Sequence, residues 1–131
     1  MATYPARSSG DQTTNYLRAQ ISGATLGYTG VAQVGTIPAG CVVLRAYVVV
    51  STAFNAGSTN TLKVGTVASD ASFLSSALTG TVGVIATTSA LTTSATVTPT
   101  ADTAVIATAI STGTAPTAGV AYVIVEYCPV A

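Results

Sequence analysis

Residues 41–54, CVVLRAYVVVSTAF, carry the strongest strand signal in the chain. β-Branched and aromatic residues dominate this segment, as is typical of a strand. The preceding Ile37-Pro38-Ala39-Gly40 has proline at the second position and glycine at the fourth, which suits a type I turn. Because the segment is longer than the usual ~3–10 residues of a strand, we expect it to bend, and a crossing from one sheet to the other would provide the bend.

Both faces of this predicted strand are largely apolar. Alternation assigns successive side chains to opposite faces, with one face formed by Val42, Leu44, Ala46, Val48 and Val50 and the other by Val43, Arg45, Tyr47, Val49 and Ser51. Such a strand lies either at the centre of the core or with an apolar face toward a partner subunit.

Further short strands follow at regular spacing, with turn signals between them. Asp70 is predicted to cap a short helical turn that buries Phe73 and Leu74, and Glu126 is a candidate cross-strand partner of Arg45. No segment has a helical period over ten or more residues. The pattern predicts a single all-β domain, a sandwich or a barrel, and we favour the β-sandwich. The further predicted strands are residues 20–22, 25–34, 61–67, 81–86, 90–97, 103–110 and 120–127.

Charged residues make up only 6% of the 131 residues, where about 25% is typical. The hydrophobic fraction of 49% excludes the disordered class, which is rich in charge and poor in apolar residues. Four basic and four acidic residues give zero net charge, and a neutral surface lacks the self-repulsion that keeps a protein dispersed. The composition therefore favours a subunit of an assembly. Nucleic-acid binding is not expected, because the basic residues are scattered at Arg7, Arg18, Arg45 and Lys63.

The first 17 residues are polar and lack periodicity. We therefore predict an extended N-terminal arm over residues 1–17 and a β-sandwich domain over residues 18–131. Tyr4, Arg7, Tyr16 and Arg18 are of the residue types that anchor interfaces, and of these Tyr4, Arg7 and Tyr16 are the candidate contact residues. The alternative interpretation of this segment is a frayed terminus.

No export signal is visible near the N-terminus. The most apolar run, residues 41–50, is interrupted by Arg45 and is well short of the ~20 residues that a membrane helix needs. We therefore expect synthesis in a cytoplasm and no membrane partner.

The residues that usually carry chemistry are sparse. The chain contains no histidine, which removes Ser–His and Cys–His nucleophile pairs and most zinc sites. The acidic residues lie on different predicted elements, so neither a carboxylate pair nor a calcium cluster is indicated, and no glycine pattern matches a phosphate-binding loop. We predict no enzymatic activity, no metal and no cofactor. The acidic residues are Asp11, Asp70, Asp102 and Glu126.

Cys41 and Cys128 allow two interpretations. Both are explained as small buried hydrophobic residues. Alternatively, if the first and last of the strong strands pair antiparallel, the two cysteines could face each other and form a disulfide, although a reducing cytosol would delay that bond.

Residues 71–101 contain no charged residue and consist mainly of Ala, Thr, Ser, Val, Gly and Leu. Thr on a strand is polar but less costly to remove from water than Lys or Glu. The stretch therefore suits a protein–protein face, or alternatively a set of solvent-exposed strands that tolerates low complexity.

Several stretches resemble small virion proteins of tailed bacteriophages, and the type they resemble most is the capsid decoration, or cementing, protein. The similarity covers roughly residues 34–127. Such motifs are typical of one kind of β-sandwich more than of a unique function, and similar sequences occur in head fibre and tail components. The stretches are Gly35-Thr36-Ile37-Pro38-Ala39-Gly40 leading into residues 42–50, Ser51-Thr52-Ala53-Phe54-Asn55, Leu62-Lys63-Val64-Gly65-Thr66 and Val123-Ile124-Val125-Glu126-Tyr127.

The resemblance implies a jelly-roll-like sandwich that binds the outside of an icosahedral phage head, made in the host cytoplasm and carried in the virion. Its implied partners are the major capsid protein and itself, as a homodimer or homotrimer. It would act by binding alone, with many copies stabilising the shell against the pressure of the DNA. The alternative is a head-fibre or tail component that recognises a host surface or glycan.

Overall fold

The computed structural model describes residues 14–86 and 100–129. Within these residues the chain forms eight strands and a single helical turn, α1 (Gly23–Leu26). The strands are β1 (Asn15–Ser22), β2 (Val31–Ile37), β3 (Cys41–Thr52), β4 (Thr59–Thr66), β5 (Leu74–Leu78), β6 (Gly83–Ala86), β7 (Thr103–Thr112) and β8 (Val120–Pro129). No helix in the described part of the chain is both long and apolar enough to cross a membrane.

The strands form two four-stranded antiparallel sheets. Sheet A has the order β1-β8-β3-β6, and sheet B has the order β2-β7-β4-β5. Strand β1 pairs with β8, β2 with β7, β3 with β6 and β4 with β5, so the pairs are those of one long antiparallel hairpin folded over on itself. This is the two-sheet arrangement of a jelly roll, and it confirms the prediction of an all-β, jelly-roll-like sandwich.

The core lies between the inward faces of the two sheets. Sheet A contributes alternate residues of β3 and β8 that lie opposite one another, such as Val48 with Val123 and Ala46 with Val125. Sheet B contributes pairs such as Leu62 with Ala109 and Val64 with Ala107. These apolar pairs follow the period of two that a sheet with one solvent-facing side requires.

Strand β3 differs from the prediction in both its faces and its path. It remains in sheet A throughout, between β8 and β6. Its pairing with β8 shifts between Val43 and Arg45, so Leu44 is the extra residue of a β-bulge and is 45% exposed. Because a bulge inverts the alternation beyond it, neither predicted set stays on one side: Val43 points inward, whereas Arg45 of the same set points outward. The buried residues are Cys41, Val43, Ala46, Val48 and Val50.

Two further segments differ locally from the prediction. Residues 25–34 were predicted as strand with breaks or bulges at Gly27 and Gly30, but the chain turns through α1 and β2 begins only at Val31, after both glycines. In place of the predicted helical turn at Asp70 the structure has a single hydrogen-bonded turn, in which the Ser72 amide donates to the Ser69 carbonyl at 3.2 Å. Phe73 and Leu74 are nevertheless buried as predicted, and the Phe73 amide donates a hydrogen bond to the Val64 carbonyl at 3.0 Å.

The first strand begins inside the segment that was predicted as an arm. Strand β1 starts at Asn15 and pairs with β8 along its whole length, so residues 15–17 belong to sheet A. Tyr16 therefore lies on a strand. Tyr4 and Arg7 lie outside the described residues, as does the predicted strand 90–97.

The loops at the end of the sandwich that contains α1 pack around Phe54, which is 4% exposed. The Gly23 amide donates to the Gly119 carbonyl at 3.0 Å, and both glycines lie so close to Phe54 that a Cβ atom at either would approach its ring within 3 Å. The Asn55 side chain connects the loop after β3 to the loop before β8. It accepts hydrogen bonds from the amides of Thr117 and Ala118 at 2.8 and 2.9 Å.

Candidate contact face on sheet A

The outward side chains of sheet A form three rows that run across its strands. We call the surface formed by these rows the sheet A face. Its register comes from the pairing of β1 and β3 with β8 and of β3 with β6. The rows are Tyr16–Glu126–Arg45, Arg18–Ile124–Tyr47–Ala86 and Gln20–Tyr122–Val49–Val84.

A buried carboxylate lies in the first row. Glu126 is only 5% exposed although it points away from the core. Arg45 Nε donates a hydrogen bond to one carboxylate oxygen of Glu126, and the Tyr47 hydroxyl donates to the other. The Arg45 guanidinium also lies 5.5 Å from the centroid of the Tyr47 ring, a distance at which a cation is attracted to an aromatic face. The ion pair of Arg45 and Glu126 that the sequence predicted is therefore present.

The cluster of Arg45, Tyr47 and Glu126 shifts the pKa values of its ionisable groups. Burial acts to raise the pKa of Glu126, but the hydrogen bonds from Arg45 and Tyr47 and the positive charge of Arg45 outweigh it, so the pKa lies below its ordinary value of 4.5. The pKa of Tyr47 is raised, first because its hydroxyl donates to Glu126 and then because it is partly buried. The carboxylate is thus held ionised, and the phenol is held neutral.

The exposed groups of the face are cationic and aromatic. The Arg45 side chain is 62% exposed, whereas the Glu126 side chain beneath it is only 6% exposed. Arg18 is also exposed, and no ion pair within the described residues involves it. Tyr16, which was a predicted contact residue, is 60% exposed at the edge of the face. The structure brings Tyr16 next to the predicted pair of Arg45 and Glu126.

The remaining part of the face is apolar. Ile124 and Tyr122 are half-buried in the middle of the sheet. Val84, on the edge strand β6, is 68% exposed, and Val82 just before that strand is 61% exposed. From the spacing of strands and of alternate residues, the three rows, with their charged and polar members included, cover on the order of 400 Å².

The other described charges lie away from this face. Lys63 on sheet B pairs with Asp70 at 3.5 Å, with side chains 33% and 45% exposed. Asp102 accepts a hydrogen bond from the Ala39 amide at 3.0 Å and so holds the turn that precedes β3. Each of these acidic groups has a local structural role.

The two cysteines are free thiols. Strands β3 and β8 do pair antiparallel, but Cys41 lies opposite Pro129 and Cys128 lies opposite Val42. The cysteines therefore occupy adjacent positions whose side chains point to opposite sides of the sheet, and the disulfide hypothesis was wrong. Burial raises the pKa of the Cys41 thiol, with smaller contributions from Cys128 and Asp102.

No group of three or more potential metal ligands of the His, Cys, Asp or Glu type occurs within residues 14–86 and 100–129. The best-defined polar cluster of the molecule is the one around Glu126, in which the carboxylate is already occupied by two donors. The sheet A face is chemically suited to contact another surface through its guanidinium, phenol and aliphatic groups.

Two phage capsid structures contain chains with this fold. The first is the capsid of Ralstonia phage GP4, in which the similar chain has a TM-score of 0.66 and 18% identity, with 100% of this chain and 92% of that chain covered. The second is the capsid asymmetric unit of cyanophage Pam1, with a TM-score of 0.62, 24% identity and coverage of 98% and 94%. No protein-family model and no curated protein sequence matches the chain. The likeness establishes the fold.

Sequence reasoning found part of this face. It proposed Tyr16 as a contact residue and Arg45 with Glu126 as a pair, and it placed Tyr47 on the same side of β3 as Arg45. Arg18 was recognised as an interface-type residue but was not placed on this sheet, because residues 18 and 19 were not predicted as strand, and Gln20 was not assigned to the face. The exposed alternation of Tyr16, Arg18 and Gln20 against the half-buried Leu17 and Ala19 is a signal that was present in the sequence.

Proposed function

We propose that this protein is a non-enzymatic structural component of a phage virion, a decoration or cementing subunit that binds the outside of the head. One observation carries the proposal: chains that share its jelly-roll fold over more than nine-tenths of their own length occur in two phage capsid structures. Those chains consist of little besides this one domain. The proposal agrees with the resemblance of residues 34–127 to cementing proteins.

The proposed mechanism is binding energy alone. Each subunit would bridge neighbouring copies of the major capsid protein, and the many copies on a shell would multiply a modest individual affinity. A shell held in this way opens at a higher temperature, because anything that binds only the closed state stabilises that state. The polar but weakly charged surface of the chain lowers the desolvation cost of such a contact.

The direct test adds purified protein to heads that lack it. We expect the protein to sediment with the heads to a saturating number of copies and to raise the temperature at which they release their DNA. An equal mass of an unrelated β-sandwich protein is the control for non-specific crowding, which has only a small effect. If none of the protein sediments with heads and the release temperature is unchanged, the proposal is wrong.

The same experiment separates the alternative function. A head-fibre or tail component that recognises a host surface would bind host cells or host glycans in a pull-down, without any change in head stability. Light scattering over a concentration series measures the third element of the proposal, self-association. A mass of two or three subunits would support a homodimer or homotrimer, and the monomer mass at all concentrations would restrict binding to the capsid partner.

A further inference from the structure

We infer that the sheet A face is the surface that binds the capsid and that its partner there is an acidic protein surface, with Arg18 as the principal charged contact. This inference rests on the proposed function and specifies the partner of that binding. It follows from where the charges lie, from how they are held and from which side chains surround them.

The charges of the described residues divide between two regions of the molecule. The sheet A face carries Arg18, Arg45 and Glu126, which sum to one positive charge, whereas Lys63, Asp70 and Asp102 lie elsewhere and sum to one negative charge. The exposed fractions of the side chains increase this difference in charge between the two regions. Arg45 is 62% exposed while the carboxylate beneath it is 6% exposed, so among the described residues this face presents two guanidinium groups and no accessible carboxylate.

The two guanidinium groups differ in their freedom to bind. Arg45 is already engaged with Glu126 and lies near the Tyr47 ring, so it is fixed in place and contributes a preorganised charge. Arg18 has an exposed side chain and no ion-pair partner in the part of the chain that the structure describes. With respect to the described residues, the guanidinium of Arg18 is therefore available to a carboxylate of the partner, in the bidentate geometry that arginine favours.

The surroundings of Arg18 are those of an interface rather than of a solvated strand. Its cross-strand neighbour is Ile124, followed by Tyr47, and Tyr16 and Gln20 flank it on β1. Tyrosine and arginine around an aliphatic centre are the types enriched where binding energy concentrates. All of them stand on paired strands, so little backbone freedom is lost when a partner binds.

The size of the face fits one part of a larger contact. Its area, on the order of 400 Å², is about half of the ~800 Å² that each partner contributes to a standard stable interface. A single such face would bind weakly, in the manner of a component that depends on many copies on one lattice.

The test uses a matched pair of substitutions. Gln20 on β1 and Gln33 on β2 are both exposed residues of edge strands, but Gln20 belongs to the sheet A face and Gln33 lies on sheet B. Gln20→Glu and Gln33→Glu make the same change of charge at the two sites. Arg18→Glu reverses the proposed contact directly. None of the three residues is buried, so each variant is expected to fold, which a thermal melt verifies.

Binding of each variant to heads that lack the protein is measured by sedimentation at two salt concentrations. We expect Arg18→Glu to weaken binding by at least about 10-fold, because a like-charge contact across an interface costs well over the 1.4 kcal/mol that a factor of ten represents. Gln20→Glu should weaken it by a smaller factor, and Gln33→Glu should bind as the wild type does. Raising the salt concentration should weaken the wild type more than Arg18→Gln, which lacks the charge.

The outcomes separate the two proposals. If the wild type binds heads and both Arg18→Glu and Gln20→Glu bind equally well, the proposed function stands and the inference about the face is overturned. The inference is also overturned if Gln33→Glu weakens binding as much as Gln20→Glu, or if Arg18→Glu changes the mass of the protein in the absence of heads, since the face would then cover a second copy. Failure of the wild type to bind heads overturns the proposed function and the inference with it.

A footprint provides a second readout of the contact. Tyr16 at 60% exposure and Tyr28 at 44% exposure are both accessible to hydroxyl radicals, but Tyr28 lies beside β7 of sheet B, where its carbonyl accepts from the Ser111 amide and its hydroxyl donates to the Gly113 carbonyl. We expect head-bound protein to be protected at Tyr16 and to react at Tyr28 as the free protein does. Protection at Tyr28 alone would overturn the inference.

Discussion

Arg45 covers Glu126 on the solvent side of sheet A, so that the carboxylate is 6% exposed while the arginine side chain that neutralises it remains 62% exposed. The two residues lie opposite each other on β3 and β8, immediately after the bulge at Leu44. The bulge changes the alternation of β3, and this change is what puts Arg45 on the outward side together with Glu126. The pair of Arg45 and Glu126 therefore belongs both to the stabilising contacts of sheet A and to the proposed binding surface.

The first prediction concerns removal of Arg45. We expect Arg45→Met to lower the midpoint of chemical denaturation more than Lys63→Met does, because it leaves the buried Glu126 carboxylate with Tyr47 alone. Lys63 is the matched control, since its partner Asp70 is 45% exposed and its pair is expected to contribute less than ~1 kcal/mol. The double variant Arg45→Met/Glu126→Gln should be more stable than Arg45→Met. Equal effects of Arg45→Met and Lys63→Met would contradict the described burial.

The second prediction concerns acid. The pKa of Glu126 in the folded protein lies below its ordinary value of 4.5, so the unfolded chain binds the proton more readily. The stabilisation is therefore present above about pH 4.5 and is lost as the pH falls from there through the folded pKa. We expect the melting temperature of the wild type to fall more steeply below pH 4.5 than that of Glu126→Gln. Parallel curves for the two proteins would show that this carboxylate is not the group responsible.

The third prediction concerns the loops around Phe54. At Gly119, which has a φ of +128°, an added Cβ atom would lie 2.4 Å from Phe54 Cδ1. We expect Gly119→Ala to destabilise the protein by about 2–4 kcal/mol through backbone strain and overpacking. Gly80→Ala is the control, because a Cβ atom there meets only the Asn60 side chain at 3.6 Å, and it should be neutral or slightly stabilising. The measurement is the free energy of unfolding in urea, and similar losses for both variants would refute the packing argument.

The fourth prediction concerns the thiols. Cys41 is 4% exposed and its pKa is raised by burial, so it is expected to resist alkylation because the thiolate is the reactive form. Cys128 is only partly buried. We expect native protein to take up one equivalent of a maleimide quickly, and Cys128→Ser to take up none on the same timescale, with Cys41→Ser labelled as the wild type is. An intact mass that is two hydrogens short under non-reducing conditions would contradict the pairing register.

The strand pattern and the fold class were predictable because side-chain types alternate with a period of two in the segments that form the sheets. In β8, the inward set containing Val123 and Val125 follows directly from alternation, as does the candidate pairing of Glu126 with Arg45. The bulge at Leu44 was not predictable, because residues 42–50 are apolar on both sides apart from Arg45 and Tyr47, so a shift of one residue leaves the pattern of hydrophobic residues unchanged.

The arrangement of the sheet A face could not be predicted from the alternation of residues within single strands. The burial of Glu126 depends on the register of three strands that are far apart in sequence, β1, β3 and β8. The start of β1 at Asn15 was missed because the polar residues before it gave no periodicity, and α1 was missed because four helical residues are too few to establish a period of 3.6.

The position of β8 has a consequence for biosynthesis. The last described strand lies between β1 and β3, so sheet A cannot close until the ribosome has delivered residues 120–129. Every row of the sheet A face contains one residue of β8 at its centre. A chain that stalls or is cleaved before this point lacks the middle of each row and exposes unpaired strand edges instead. Formation of the sheet A face therefore follows synthesis of β8, and copies truncated before this strand are expected to lack the face.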